Sequence, residues 1–120
     1  MKIQNFDTKK NIFLIAEIGN NHEGDFELAK EMIYLAAEAG ADAVKFQTFK
    51  TEHYINRSDG KRFEMLKAYE LSNNQFRKLK KYADEMHIRF ISTPFDIKSA
   101  EFLDQIVDAI KISSSTHRHK

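Results

Sequence analysis

The sequence predicts a parallel α/β fold, on three observations. Apolar runs of strand length alternate with stretches in which apolar residues recur every three or four positions. The first helical stretch returns to the next apolar run through little more than a glycine, the short joint of a β-α-β crossover, which pairs the two strands in parallel. Three of the four predicted strands also carry a charged residue near the C-terminal end, where parallel α/β proteins hold their chemistry.

The first strand spans 12–18, I-F-L-I-A-E-I, limited by Asn11 and Gly19. Glu17 closes it, and a polar loop follows. Asp25 is placed to cap a helix over 26–39, because its carboxylate reaches free N–H groups of the first turn. Ala29, Met32, Ile33 and Ala36 form that helix's apolar face, and Gly40 is its stop. The second strand, 41–49, alternates, with Val44 and Phe46 on one face and Lys45 and Gln47 on the other. Residues 50–71 break the rhythm: 51–60 is polar and reads as a loop, and 62–71 has Phe63, Leu66 and Tyr69 at helical spacing and reads as a short extra helix. An insertion at the active end of the strands is read either as a substrate-covering element or as an insertion without a functional role.

Ser72 to Gln75 is a capping box, in which the hydroxyl reaches forward to the Gln75 N–H and the Gln75 amide reaches back. The helix it opens turns Phe76, Leu79, Ala83 and Met86 inward and leaves Arg77, Lys78, Lys80 and Lys81 as a solvated face. The third strand is 88–93, I-R-F-I-S-T, ended by Pro94, whose ring nitrogen cannot donate to a ladder. Asp96 caps a helix over 97–106 with Ala100, Leu103 and Val107 as its core stripe. The fourth strand, 109–113, sets Ile110 and Ile112 opposite Lys111 and Ser113. No domain boundary interrupts the 120 residues.

Composition excludes several classes of function. Nineteen basic and 18 acidic side chains leave a net charge of +1, so no field favours nucleic acid or an anionic membrane. The absence of cysteine removes disulfides, thiolate nucleophiles and zinc-thiolate sites. No apolar run approaches the roughly 20 residues that span a bilayer, and M-K-I-Q-N-F-D-T-K-K lacks a signal-peptide pattern. The expected location is the cytoplasm.

The charged strand ends are Glu17, Lys45 and Lys111, and the third strand ends in Ser92 and Thr93. If alternation holds, Lys45 and Gln47 face away from the helices into a barrel interior, where an unpaired charge is strongly unfavourable. Two readings stay open. In one, Glu17 pairs with a lysine and the other lysine reaches solvent. In the other, one acid and two bases leave a surplus positive charge beside hydroxyls, which suits a small phosphate or carboxylate. His22 is either a loop histidine satisfied locally or a substrate contact, and alone it makes no metal site. Glycine-rich phosphate loops, H-E-x-x-H and nucleophile elbows are absent from the sequence.

Four motifs, I-A-E-I-G-N-N-H-E-G at 15–24, A-G-A-D-A-V-K-F-Q-T at 39–48, F-I-S-T-P-F-D at 90–96 and I-K-I-S-S-S at 110–115, closely resemble the sialic acid synthase family. That family includes N-acetylneuraminate, legionaminate and pseudaminate synthases. The resemblance runs in order along almost the whole chain. It implies a TIM barrel, here about its first four strands, which the family usually follows with a small antifreeze-like domain. It also implies an aldol-like condensation of phosphoenolpyruvate with an N-acetylated amino sugar such as N-acetylmannosamine, as the open-chain aldehyde. Water then adds to the oxocarbenium carbon and phosphate leaves by C–O cleavage, with a divalent metal, manganese or magnesium, polarising the aldehyde. Carried over by position, Glu17 matches the acid that contacts the sugar and shuttles protons. Lys45, Thr93, Lys111 and Ser114 match positions that hold phosphoenolpyruvate, and Gln47 matches a supporting position in substrate binding. Glu17, Lys45 and Lys111 are therefore the candidate catalytic residues, and Gln47, Thr93 and Ser114 the candidate substrate-binding ones.

The chain departs from the family at its end. The family has an acid two positions after the serine matching Ser114, where this sequence has Thr116, and T-H-R-H-K bears no resemblance to it. The family's histidine metal ligands lie on later strands, so no metal ligand is expected in this chain, and His117 and His119 are not taken as substitutes. The expectation is a truncated barrel without strands five to eight or the C-terminal domain, inactive alone and prone to form homo-oligomers through open edges. The alternative is a non-catalytic anion-binding or oligomerisation module built on the same fold.

Overall fold

The computed structural model describes residues 2–3, 6–7, 12–107 and 109–110. In chain order the elements are β1 (Lys2–Ile3), β2 (Phe6–Asp7), β3 (Ile15–Gly19), α1 (Phe26–Glu38), β4 (Ala43–Thr48) and α2 (Thr51–Tyr54). A 3-10 turn (Arg57–Asp59), α3 (Gly60–Tyr69), α4 (Asn73–Glu85), β5 (Arg89–Pro94), α5 (Ile97–Ile106) and β6 (Ala109–Ile110) follow. β1 and β2 pair antiparallel as a separate sheet. β3, β4 and β5 lie side by side in parallel, and the two-residue β6 joins β5, also in parallel. The short return from α1 to β4 therefore has the predicted consequence.

Helix ends are fixed by the side chains that the sequence marks. Asp25 accepts from the Leu28 N–H at 3.1 Å, Asp96 from the Ser99 N–H at 2.8 Å, and both bonds of the Ser72–Gln75 capping box form. The core lies between one face of the sheet and the helices. Val44, Phe46 and Phe90 from the strands meet Ala29 and Ile33 of α1, Phe76, Leu79 and Ala83 of α4, and Phe102 and Leu103 of α5. Phe46 stacks on Phe90 at 5.0 Å, and Phe76 sets its edge to both rings. Such aromatic pairs add about 0.5–1.5 kcal/mol each beyond the area they bury. The opposite face, with Lys45 and Gln47, carries the candidate site.

Three local readings are revised. β3 starts at Ile15, because Leu14 spends its backbone groups on Asp42: its N–H donates to the Asp42 carboxylate at 2.8 Å, and its carbonyl accepts from Asp42 and Ala43. The stretch read as a loop at 51–60 holds a helical turn and a 3-10 turn. Thr51 is fully buried there, with its N–H and hydroxyl both donating to Glu70, at 2.9 and 2.7 Å. In α5 the buried residues are Ser99, Phe102 and Leu103, while Ala100 is half-buried. Phe102 lies under the Arg77 guanidinium of α4, 5.1 Å from its ring centre, so the arginine's contact with the ring draws it into the seam between the helices.

The insertion rests on the loop that follows β3. Gly24 has φ +82°, and a Cβ there would collide with the Ala68 carbonyl of α3, so only glycine lets the two approach so closely. No helix among the described residues is long and apolar enough to cross a membrane.

Candidate functional site

Strand register assembles the site. β3 against β4 sets Glu17 opposite Lys45, and β4 against β5 sets Gln47 opposite Thr93. Lys45 Nζ stands 2.8 Å from Glu17 Oε1, with the lysine side chain 23% exposed and the glutamate 53%. Glu17 thus pairs with Lys45, which both readings allow, and the second lysine that would separate them, Lys111, lies outside the described residues. A pair this exposed is worth about 0–1 kcal/mol to the fold, so stability alone does not explain placing a lysine on the inner face. Lys111 and Ser114 lie outside the described residues.

The pleat separates the two hydroxyls that end β5. Ser92 is wholly buried on the helix side, 2.7 Å from Thr48 Oγ1. Thr93 shares the inner face with Gln47 and is 6% exposed. Gln47 Oε1 accepts from Asn20 Nδ2 at 2.8 Å. The ladder between β3 and β4 is irregular between Glu17 and Gly19, where Gly19 takes φ +55°. These contacts gather Glu17, Lys45, Asn20 and Gln47 at one end of the strands, with Thr93 beside them.

His22 is satisfied on one side only. It is 1% exposed, Nδ1 accepts from the Gly24 N–H at 3.0 Å, and the ring stacks on Phe46. Nε2 is buried with no hydrogen-bond partner. Burial holds its pKa below the ordinary imidazole value, against a smaller opposing pull from Asp25. On the insertion, Lys67 sits 2.8 Å from Glu52, and that contact lowers the glutamate's pKa and raises the lysine's. An open cavity of about 470 Å³ on the insertion, lined by Arg57, Phe63, Glu64 and Lys67, contains none of the predicted site residues.

Two contacts at the site were missed by sequence reasoning. Asn20 is simply one more polar residue in a loop until the fold brings Gln47 to it. Asp96 is legible as a helix cap, but its Oδ2 also accepts from the Lys50 N–H at 2.8 Å, tying the end of β5 to the start of the insertion. Among the described residues, no group of three His, Asp or Glu side chains could hold a metal ion. These residues do not fit a metal centre.

Comparison with known proteins shows the family and the fold. The profile of the NeuB family matches residues 32–120. The N,N'-diacetyllegionaminic acid synthase of Legionella pneumophila is 45% identical over 116 residues, covering 85% of this chain and 33% of that protein. The human N-acetylneuraminate-9-phosphate synthase is 40% identical over 115 residues, covering 85% of this chain and 32% of that one. The crystal structure of the sialic acid synthetase from Leptospira borgpetersenii, in complex with citrate, superposes with a TM-score of 0.78 at 34% identity, over 93% of this chain and 40% of that one. This chain thus spans about a third of the length of the curated relatives it matches. Its parallel strands and helices correspond to part of a sialic acid synthase TIM barrel, and the chain belongs to the NeuB family of sialic acid synthases.

Proposed function

We propose that this chain is the N-terminal part of a cytoplasmic sialic-acid-type synthase that joins phosphoenolpyruvate to N-acetylmannosamine or a related N-acetylated amino sugar. The observation that carries this reading is the Glu17–Lys45 pair, set by strand register beside Gln47 and Thr93 on the inner face of the sheet. In this reading the Lys45 ammonium and the Thr93 hydroxyl bind the phosphoenolpyruvate anion, and four strands of the barrel contribute, with Lys111 and Ser114 completing the set from the fourth. Charge-assisted donors of this kind strengthen as negative charge gathers on the departing phosphate. Glu17 and Gln47 face the sugar. A carbon–carbon bond forms between the enol carbon and the aldehyde carbon, water adds at the carbon left electron-poor, and the carbon–oxygen bond to phosphate breaks. Glu17 is the group placed to take the proton of the incoming water or to give one to the aldehyde oxygen. The family resemblance also implies a manganese or magnesium ion, for which ligands would have to come from outside the described residues.

The four groups lie on one side of an open sheet, so the chain alone is proposed to bind phosphoenolpyruvate without turning over. One observation favours a second reading, a non-catalytic anion-binding or oligomerisation module: Lys45 already has an internal partner in Glu17. Titrating phosphoenolpyruvate into the isotopically labelled chain separates a lysine-dependent anion site from an oligomerisation module in which Lys45 is only half of an ion pair. The synthase reading expects amide shifts centred on Lys45, Gln47 and Thr93, and no phosphate release when N-acetylmannosamine and manganese are added. Shifts centred on Arg57 and Lys67 would place the anion elsewhere, and turnover by the pure chain would refute the proposed inactivity.

A further inference from the structure

Glu17 and Gln47 reach the same place from neighbouring strands. A Cβ built on Gly19 would stand 3.5 Å from Glu17 Oε2 and 3.5 Å from Gln47 Nε2. The other carboxylate oxygen faces Lys45 at 2.8 Å, and the other end of the amide accepts from Asn20 Nδ2 at 2.8 Å. One acceptor and one donor therefore flank the bare backbone of Gly19. A single ligand hydroxyl matches that pattern, accepting from Nε2 and donating to Oε2.

We propose that Asn20 is a positioning residue that sets the direction of the Gln47 amide, so that its donor end meets the ligand over Gly19. Turned by half a rotation, the amide would set its oxygen beside the Glu17 carboxylate, leaving two acceptors and nothing to hold a hydroxyl oxygen. Asn20 is a costly residue to keep here, since its Oδ1 is buried with no hydrogen-bond partner. An apolar side chain of similar size would avoid that loss. The compensating interaction is the bond to Gln47, whose consequence falls on the ligand side of the amide. Identifying the ligand as a polyhydroxylated open-chain sugar rests on the synthase reading, whereas the direction of the amide does not.

The test has two arms. In the first, the Gln47 side-chain NH2 signals of the 15N-labelled chain are assigned by their loss in Gln47→Glu. Asn20→Asp can only accept at that position, so it draws the NH2 group to itself, and one proton is expected to move downfield and exchange more slowly than in the wild type. Asn20→Leu is expected to produce no such proton. The proposal is overturned if Asn20→Asp leaves these signals unchanged. It is also overturned if the wild type already shows a slowed downfield proton that survives Glu17→Gln and disappears in Asn20→Leu, since the amide would then point the other way.

In the second arm, N-acetylmannosamine is titrated with phosphoenolpyruvate present. Asn20→Asp and Gln47→Glu are each expected to weaken binding about tenfold, because both changes put an acceptor over Gly19. Wild-type affinity in Asn20→Asp contradicts the proposal. If the wild type binds no sugar, the synthase reading fails and the amide signals alone decide this one.

Discussion

His22 shows how one buried side chain makes stability depend on pH. Desolvation holds its folded-state pKa below the value of about 6.5 that the unfolded chain has. As pH falls through that value the unfolded state takes up the proton first, so stability present at neutral pH is lost until the folded-state pKa is passed. The urea midpoint is expected to fall on mild acidification, and by less in His22→Gln, which has no imidazole to protonate. An equal fall in both chains would assign the effect to other groups. The local bond from the Gly24 N–H was among the readings that the sequence supports, but the stacking on Phe46 was not, because it depends on where β4 passes the loop. Asn20 was hidden for the same reason: its partner is 27 residues away, and nothing in a polar loop singles it out.

At the scale of elements, what depends on near neighbours was readable and what depends on distant ones was not. The caps at Asp25, Ser72 and Asp96 follow from residues three positions on, and all three form. The helical turn at Thr51–Tyr54 instead depends on Glu70, which holds the buried Thr51 from 19 residues away. Glu70 also lies 3.6 Å from Lys67, which in turn pairs with Glu52, so α2 and α3 are tied at two points. Glu70→Ala is expected to cost about 2 kcal/mol, since two buried donors lose a charged acceptor. Hydrogen exchange should accelerate across 51–69 while α1 and α4 stay protected. Uniform acceleration through the whole chain would contradict an insertion that is secured locally.

At the scale of the whole molecule, the period of the apolar residues and the short return loops were enough for the fold class, because parallel pairing leaves few other arrangements. Four separated motifs were enough for the family. The part beyond Ile110, with Lys111 and Ser114, belongs to the described site only by resemblance. Among the described residues β3 lies at one edge of its sheet, and Ile12 and Leu14 just before it and Ile15 at its start are 79%, 53% and 47% exposed. An exposed apolar edge favours pairing with another chain. The protein is expected to self-associate in light-scattering measurements, and the double change Leu14→Lys with Ile15→Lys is expected to shift it toward monomer. A monomeric wild type would show that this edge is covered some other way.

Lys45 is proposed to stand on the inner face as an anion-binding group of a synthase site and not only as half of a structural ion pair. Calorimetric titration of phosphoenolpyruvate into the wild-type chain and Lys45→Ala, with urea transitions measured on both, tests this most directly. The expected outcome is binding by the wild type, at least about tenfold weaker binding by Lys45→Ala because a charge-assisted contact is lost, and unfolding free energies from the urea transitions within about 1 kcal/mol of each other. Equal affinity in the two chains, or no binding by the wild type, would contradict it.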